Sequence, residues 1–382
     1  MICIQHAAVY TPDEVMEDGA VLVADGRIQT IAPASQLDLP AKVNCIDATG
    51  LHLMPGFIDL QLNGAIGLDF TSEPESIWAV ADYLPRTGVT SFLPTIISSP
   101  LTTVSAAQEI ITSSSPKGFQ GATPLGLHIE GPFLHPDKKG AHNPAYLQLP
   151  TVEKVADWTP ENGVRLVTLA PELDGALEII HLLTERSVVV SAGHSTATFD
   201  QATAGFEAGI RYGTHLFNAM PPLHHREPGL AGALLADERT TIGLIVDGEH
   251  VHPDLVKLVW QMVGNGRLNL VTDAMAALGM PSGSYWLGDF EVIVDDTTAR
   301  LTNGTLAGSL LTLDTAVRNL ITFTGCTLSE ALPAVTSTPA NLLGLPHKGR
   351  IAPNCDADLV LLTDDLQVHT TFVGGRIVYQ KE

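Results

Sequence analysis

Five acidic or imidazole residues stand at the C-terminal ends of separate apolar runs: Glu130, His194, His215, Asp247 and Asp273. Taken singly, a histidine after a strand is more often a hydrogen-bonded wall residue than a metal ligand, and an aspartate there usually caps the next helix. Glu130 is a stronger indication of a functional site, because a buried carboxylate needs a strong compensating partner. One carboxylate and two imidazoles brought to one place match the ligand set of a catalytic zinc.

Such a set predicts metal-assisted hydrolysis. A zinc held by Glu130, His194 and His215 would keep one coordination position for water and lower the pKa of that water from about 15.7 to about 7. Asp273 is not needed as a ligand, so it is the candidate base, which accepts a proton and returns it to a leaving amine. The alternative is that Asp273 only orients one of the two histidines.

Two loops after strand ends carry candidate substrate-binding residues. In HLFNAMPPLHHR, the backbone amides of Asn218 and Ala219 could donate hydrogen bonds, and Arg226 is a candidate clamp for an anion. On composition alone, Arg226 could equally be an ordinary surface arginine. In KKGAHNP, His142 could polarise a carbonyl group or merely cap the loop.

The elements that must position these residues are eight apolar runs of strand length, each followed by a stretch of helix length. Strands alternating with helices predict an α/β fold with a parallel sheet. Eight such units predict a closed (β/α)8 barrel of the TIM type, whose strand ends meet at one mouth. A hairpin over residues 283–305 is expected to interrupt the pattern. The runs are residues 53–60, 89–95, 125–130, 165–169, 187–194, 210–215, 241–247 and 268–273.

Both chain ends have a different pattern, that of short strands and tight turns. Asp25-Gly26 between two apolar runs is a good hairpin signal, and a similar β-rich pattern follows residue 358. Because the termini of compact domains often lie close together, we expect both ends to form one small β-sandwich domain. The predicted division is residues 1–50 and 346–382 for this domain and residues 51–345 for the catalytic barrel.

Composition favours a soluble, cytoplasmic protein. Of the 382 residues, 45% are hydrophobic and 16% charged, which is enough apolar material for a large core. The formal net charge of −22 argues against nucleic acid as a partner, because phosphate backbones require a basic surface. The four cysteines form no CxxC pair and suit reduced thiols. No segment has the pattern of a signal peptide or a membrane span, so we expect no membrane partner.

Seven motifs occur in order between about residue 50 and residue 345, namely PGFIDLQLNG, GLHIEGPFLHPDKKGAHNP, SAGHSTAT, GTHLFNAMPPLHHREPG, LIVDGEHVHP, LVTDAM and NGTLAGSLLTL. Together they resemble the N-acetylglucosamine-6-phosphate deacetylases of the amidohydrolase superfamily. HLFNAMPP with a downstream HREPG is highly specific to that family, whereas PGFID alone is typical of the whole superfamily.

The resemblance implies hydrolysis of the acetamido group of N-acetyl-D-glucosamine 6-phosphate to D-glucosamine 6-phosphate and acetate, in amino-sugar catabolism or recycling. It implies that Glu130, His194 and His215 hold one divalent metal per subunit. Zinc is the first expectation, with Fe²⁺, Co²⁺ or Ni²⁺ as alternatives. By the same resemblance, Asp273 is the general base and acid, and His142 helps to polarise the acetyl carbonyl.

For the rest of the sugar phosphate, the resemblance implies that His250 and Arg226 contact the phosphate. Arg226 would reach into the neighbouring subunit's site of a homodimer. The sugar pocket would be lined by Ala141, Asn218, Ala219 and the turn Leu306-Ala307-Gly308.

Gln61 and Asn63 depart from the wider superfamily. Many of its members carry His-x-His after PGFID, and these two side chains share one face of a strand and bind an additional metal. Neutral amides are poor zinc ligands. We therefore predict a single metal at this site.

Two other functions stay open. One is another amidohydrolase-superfamily enzyme, an amide hydrolase or a deaminase acting on a cyclic amide or a nucleobase, which would have no use for Arg226 and His250 as phosphate ligands. The other is a non-catalytic relative that binds sugar phosphates on the same scaffold. Such a protein would be expected to lack a metal ligand or the base, and neither is missing.

Overall fold

Eight parallel strands form a barrel in the computed structural model, which describes residues 1–38 and 42–381. Neighbouring strands pair in chain order, and a parallel bridge between Leu62 and Ala274 joins the last strand to the first. Each strand overlaps one of the eight apolar runs, so the predicted (β/α)8 barrel is confirmed. The strands are β1 (Phe57–Leu62), β2 (Val89–Ile97), β3 (Leu127–Glu130), β4 (Val164–Leu169), β5 (Val189–Ala192), β6 (Tyr212–Gly213), β7 (Thr241–Leu244) and β8 (Leu268–Leu270).

Helices cover the outside of the barrel and explain why its strands are apolar on both faces. Every residue of β1 and β2 is buried, as expected for parallel strands with side chains inside and helices outside. The α-helices are α1 (Ile77–Tyr83), α2 (Leu101–Thr112), α3 (Ala176–Glu185), α4 (Phe199–Ala208), α5 (Gly229–Ala236), α6 (Pro253–Arg267), α7 (Leu313–Thr324), α8 (Leu328–Ala331) and α9 (Ser337–Leu342).

The connection from β3 to β4 is a long loop with three short 3-10 helices, Pro136–Lys138, Pro144–Tyr146 and Val152–Val155. It places the KKGAHNP segment beside the mouth of the barrel. Within the described ranges, no helix is both long and apolar enough to cross a lipid bilayer. The other 3-10 helices are Ala34–Gln36, Pro74–Ser76, Leu84–Thr87 and Leu332–Val335, and the short strands beside the barrel are Gly64–Ala65, Leu68–Asp69 and Thr123–Pro124.

Both chain ends contribute to one eight-stranded sheet beside the barrel, as predicted. Buried residues from the two ends, such as Ile4, Val21 and Phe372, share a core separate from that of the barrel. The predicted hairpin is confirmed: Ala24 pairs with Arg27 across a turn whose two central residues have positive φ. The strands are Ile2–Tyr10, Val15–Ala24, Arg27–Pro33, Asn44–Asp47, His52–Pro55, Leu359–Leu362, Val368–Val373 and Arg376–Gln380.

The structure differs from the sequence prediction at the start of the barrel. The strand His52–Pro55 pairs with Leu359–Leu362 and therefore belongs to the terminal sheet. The first barrel strand begins at Phe57, although the apolar run begins at residue 53. The domain boundaries that we derived from the sequence stay a prediction.

A three-stranded antiparallel sheet stands where the sequence predicted a hairpin. Its strands, Gly283–Leu287, Phe290–Val294 and Ala299–Leu301, follow β8. Its inner face packs in a small core with Ala141 and Met275. The insertion thus covers one side of the barrel mouth.

Candidate active site

The barrel brings the strand-end residues to its C-terminal mouth. Glu130 is the last residue of β3, while His194, His215 and Asp273 lie two or three residues beyond β5, β6 and β8. His194, His215 and Asp273 have positive φ angles of 48°, 28° and 48°, which residues other than glycine rarely adopt. Such backbone strain is typical of functional sites, where the surrounding fold fixes the direction of a side chain.

Glu130, His194 and His215 converge at one point. Oε1 of Glu130 lies 3.2 Å from Nε2 of His194 and 3.0 Å from Nε2 of His215, and the two nitrogen atoms are 3.1 Å apart. Among the described residues, this trio is a group of metal-ligand types whose ligand atoms all lie within 4.8 Å of one another. All three side chains are buried.

The donor set fits a divalent metal. Nδ1 of His194 lies 2.8 Å from the carbonyl oxygen of Lys138 and donates its hydrogen there, so that Nε2 presents a lone pair. A lone pair and a carboxylate oxygen at such distances repel each other unless a proton or a cation lies between them. Two imidazoles and one carboxylate are ligands that zinc accepts, with a position left for water.

The charges of this trio reinforce one another. Burial alone would raise the pKa of Glu130, but hydrogen bonds and charge from His194 and His215 hold that pKa well below its ordinary value. Burial lowers the pKa of His215, yet the Glu130 carboxylate outweighs it and raises that pKa. Glu130 is therefore ionised at neutral pH.

Two amides hold the candidate base. Oδ1 of Asp273 accepts hydrogen bonds from Nδ2 of Asn63 at 2.7 Å and from Nε2 of Gln61 at 3.2 Å. Nε2 of Gln61 also donates to Oε1 of Glu130 at 3.1 Å, so one amide bridges two carboxylates. Burial, and then the charge of Glu130, raise the pKa of Asp273 to about 6. A base with such a pKa is ionised at neutral pH and still accepts a proton readily.

His142 is arranged as a neutral hydrogen-bond donor. Its Nδ1 accepts the backbone N–H of Ser98 at 3.1 Å and lies 2.9 Å from the Ser98 hydroxyl. The ring hydrogen must therefore sit on Nε2, which lies 3.8 Å from Oε2 of Glu130. Burial and the neighbouring His194 lower the pKa of His142 to about 3, so the ring stays uncharged. Sequence reasoning missed Ser98, whose only signal is its place directly after β2.

A cavity of about 270 Å³ lies over these groups. Four of the residues named from the sequence do not line it. Ala307 is buried in the core of the insertion, and Arg226 lies in an exposed loop, where it contacts His225 at 2.8 Å. Gln61 lies behind the lining and Asp247 beside it. The cavity is lined by Asn63, Ile97, Glu130, Asp137, Lys138, Gly140, Ala141, His142, His194, His215, Asn218, Ala219, His250, Asp273, Leu287, Thr305, Leu306 and Gly308.

Of these lining residues, Ile97, Asp137, Lys138, Gly140, Leu287 and Thr305 were not predicted from the sequence. Lys138 and Gly140 belong to the KKGAHNP motif, so that motif was a signal for them. Leu287 comes from the antiparallel insertion, which a residue pattern alone could not orient. The predicted site residues at strand ends, by contrast, all reach the cavity except Asp247, which lies beside it.

Comparison with known proteins places this arrangement in a family. The profile of the Amidohydrolase family matches residues 52–378. The chain is 41% identical to the N-acetylglucosamine-6-phosphate deacetylase of Bos taurus over 88% of this chain and 85% of that protein.

Solved structures agree with that match. The N-acetylglucosamine-6-phosphate deacetylase of Pasteurella multocida superimposes with a TM-score of 0.93 at 33% identity, over the whole of both chains. A mutant of the Mycobacterium smegmatis N-acetyl-D-glucosamine-6-phosphate deacetylase, in complex with N-acetyl-D-glucosamine-6-phosphate, gives a TM-score of 0.91 at 34% identity over 99% of each chain. The chain therefore belongs to the amidohydrolase family and, within it, to the N-acetylglucosamine-6-phosphate deacetylases.

Proposed function

We propose that this protein hydrolyses the acetamido group of N-acetyl-D-glucosamine 6-phosphate to D-glucosamine 6-phosphate and acetate, in amino-sugar catabolism or recycling. The observation that carries the proposal is that a metal-ligand trio, a carboxylate base and a neutral imidazole donor border one cavity. Metal-assisted amide hydrolysis uses these three kinds of group. The activity of the relatives supports the choice of substrate.

In this proposal Glu130, His194 and His215 hold one divalent metal per subunit, zinc by first expectation, while iron, cobalt or nickel could use the same ligands. When bound, the metal withdraws electron density from a carbonyl oxygen and lowers the pKa of a water. A single metal is supported by Gln61 and Asn63, whose amide nitrogens already donate to carboxylates and whose oxygens are weak zinc ligands.

Asp273 transfers protons in this proposal, and His142 stabilises negative charge. Asp273 accepts a proton from the attacking water and delivers it to the amine nitrogen, without which the amine is a poor leaving group. Nε2 of His142 donates its hydrogen to the acetyl carbonyl oxygen and stabilises the negative charge that develops there. Because the pKa of His142 is about 3, it acts as a donor and not as an acid.

The rest of the cavity is proposed to bind the phosphorylated sugar. Ala141, Asn218 and Ala219 would contact the sugar from one side. The Leu306-Ala307-Gly308 turn would close the other side, with Ala307 packed behind it. His250 lines the same cavity and is the proposed phosphate ligand of this chain.

Arg226 is proposed to serve a second subunit. Its exposed position, outside the cavity of its own chain, supports a homodimer in which it reaches the neighbouring site. A cytoplasmic location is also part of the proposal, and the four free cysteines are in keeping with a reducing compartment.

The test compares acetate release from N-acetylglucosamine 6-phosphate and from N-acetylglucosamine by the metal-loaded protein. We expect kcat/KM to be higher for the phosphorylated sugar by at least about 100-fold, because the phosphate supplies binding energy that the neutral sugar lacks. Equal values for the two sugars would contradict the assignment. Turnover of a cyclic amide or a nucleobase in preference to both would favour the alternative amidohydrolase activity.

A further inference from the structure

We propose that Asp247 is a positioning residue for substrate binding: its hydrogen bond to His250 fixes the direction of the imidazole and turns the second ring nitrogen into the cavity toward the substrate phosphate. This inference rests on the proposed function, because it requires His250 to bind the phosphate.

The Asp247 carboxylate is held on both oxygens. Oδ2 lies 2.6 Å from Nδ1 of His250, and Oδ1 accepts the backbone N–H groups of Glu249 and His250, each at 2.8 Å. The side chains of Asp247 and His250 are only 12% and 6% exposed. Asp247 thus bonds to the ring and to the backbone of the same histidine, which fixes where that ring points.

The loop that carries this pair is itself anchored. Nδ2 of Asn319 on α7 donates to the carbonyl oxygen of Val246 at 2.8 Å. Gly248 has a φ of 84°, and the ring of Phe323 lies 3.6 Å from the position its Cβ would take. The hydrogen bond from Asn319 ties the loop to α7 and so helps to fix the direction of the His250 ring.

The protonation state follows from the hydrogen bonds. Burial works against an ionised Asp247, but the hydrogen bonds and charge of His250 outweigh it and hold the pKa of Asp247 below its ordinary value. An ionised carboxylate at 2.6 Å requires a hydrogen on Nδ1 of His250, because a lone pair there would face negative charge. With Nδ1 committed to Asp247, Nε2 is the ring nitrogen left to face the cavity, and an N–H there donates to a phosphate oxygen.

The cavity is rich in carboxylates, so a well-placed donor to the phosphate matters. Three carboxylates line it, those of Glu130, Asp137 and Asp273, and the last of these senses the charge of His250. Lys138 is the one lysine or arginine in the described lining, and its ammonium group donates to the carbonyl oxygen of Met220 at 3.0 Å. A dianionic phosphate near three carboxylates needs hydrogen-bond donors of fixed direction, and His250 held by Asp247 provides one beside the Arg226 proposed to come from the second subunit.

The test is Asp247→Asn in the metal-loaded protein. The amide keeps an acceptor for the backbone N–H groups but removes the negative charge that faces Nδ1 of His250. We expect KM for N-acetylglucosamine 6-phosphate to rise by at least about tenfold, as for loss of a hydrogen bond to a charged group, with kcat within about twofold. The kcat/KM for unphosphorylated N-acetylglucosamine should not change. The matched control is Asp254→Asn, the same charge change at a side chain that is 90% exposed. It should leave KM and kcat unchanged for both sugars.

Inorganic phosphate supplies a second measurement that does not depend on the sugar. Its inhibition constant against the unphosphorylated substrate should rise by at least about tenfold in Asp247→Asn. If thermal unfolding shows that Asp247→Asn does not fold, Asp247→Glu takes its place, because it keeps the charge and displaces the acceptor of Nδ1. Its KM for the phosphorylated sugar should rise while kcat is retained.

His250→Asn separates failure of this inference from failure of the proposed function. If His250→Asn keeps the full preference for the phosphorylated sugar, His250 does not bind the phosphate, and that part of the proposed function fails together with the inference. If His250→Asn loses the preference while Asp247→Asn retains KM and the phosphate inhibition constant, the inference alone is overturned. Equal loss of kcat for both sugars in Asp247→Asn would also overturn it, since that result indicates a purely structural role.

Discussion

Asn63 donates a 2.7 Å hydrogen bond from its side-chain amide to Oδ1 of Asp273. It does so from a position where many members of the superfamily carry a histidine that binds an additional metal. The amide thus directs the positive end of a dipole toward the carboxylate, which favours the ionised form of Asp273. In this protein the two positions carry amide donors that hold Asp273, in keeping with the proposed single metal.

Asn63→Leu tests this replacement through the pH dependence of kcat/KM. Asp273 must be ionised to accept a proton, so activity should fall as the pH drops through about 6, the pKa of Asp273. Removing a donor to the ionised form raises that pKa, so the acidic limb of the profile should move to higher pH by up to about one unit. The matched control is Asn265→Leu, at an exposed position on α6, which should leave the profile unchanged. A shift to lower pH in Asn63→Leu would contradict the hydrogen-bond account.

Asp273→Asn should abolish turnover while keeping the metal. Asparagine cannot accept and return a proton, and loss of a general base and acid lowers kcat by about 100-fold to 10,000-fold. Acetate release and elemental analysis on the same preparation check both halves of the prediction. A variant with appreciable turnover would remove Asp273 from the role, and one without metal would show that Asp273 is needed to form the metal site.

His142→Leu should lower kcat by about 100-fold to 1,000-fold, the usual cost of losing one donor to a developing oxyanion. The loss should be the same across the working pH range, because a ring with a pKa of about 3 does not titrate there. Ser98→Ala is the informative companion. It removes a hydroxyl but keeps the backbone N–H that sets the His142 tautomer, so kcat should stay within a fewfold. A loss in Ser98→Ala as large as that in His142→Leu would show that the hydroxyl, and not the backbone, controls the ring.

Chelation of the metal should lower the melting temperature as well as abolish activity. A ligand that binds only the folded state adds to its stability, and removal of the metal takes that contribution away. Differential scanning calorimetry before and after chelation, and again after zinc is added back, measures the effect. His194→Ala should melt at the same temperature with and without chelator. A metal-dependent shift that persists in His194→Ala would place the metal elsewhere.

The barrel could be predicted from the sequence because buried parallel strands appear as continuous apolar runs, and such runs are visible without any partner. The start of the first strand was not predictable in the same way. Residues 53–60 form one apolar run, but Pro55 ends a strand of the terminal sheet and Phe57 begins the barrel. Apolar character indicates burial, and it does not say in which of two cores a residue is buried.

The candidate site was also predictable from the sequence only in part. Glu130, His194, His215 and Asp273 could be proposed as neighbours because barrel topology alone brings strand ends together. The contact between Ser98 and Nδ1 of His142 depends on a loop conformation that no residue pattern encodes. Likewise the bonds from Gln61 to two carboxylates link residues far apart in sequence, and only the closed barrel makes them neighbours.

The most direct test of the whole account is a titration of metal-free protein with zinc, in which bound metal and acetate release from N-acetylglucosamine 6-phosphate are measured on the same samples. We expect no turnover without metal, activity that rises in proportion to occupancy, and saturation at one metal per chain. Turnover by fully demetallated protein, or activity that appears only with a second metal per chain, would contradict the proposed single-metal mechanism.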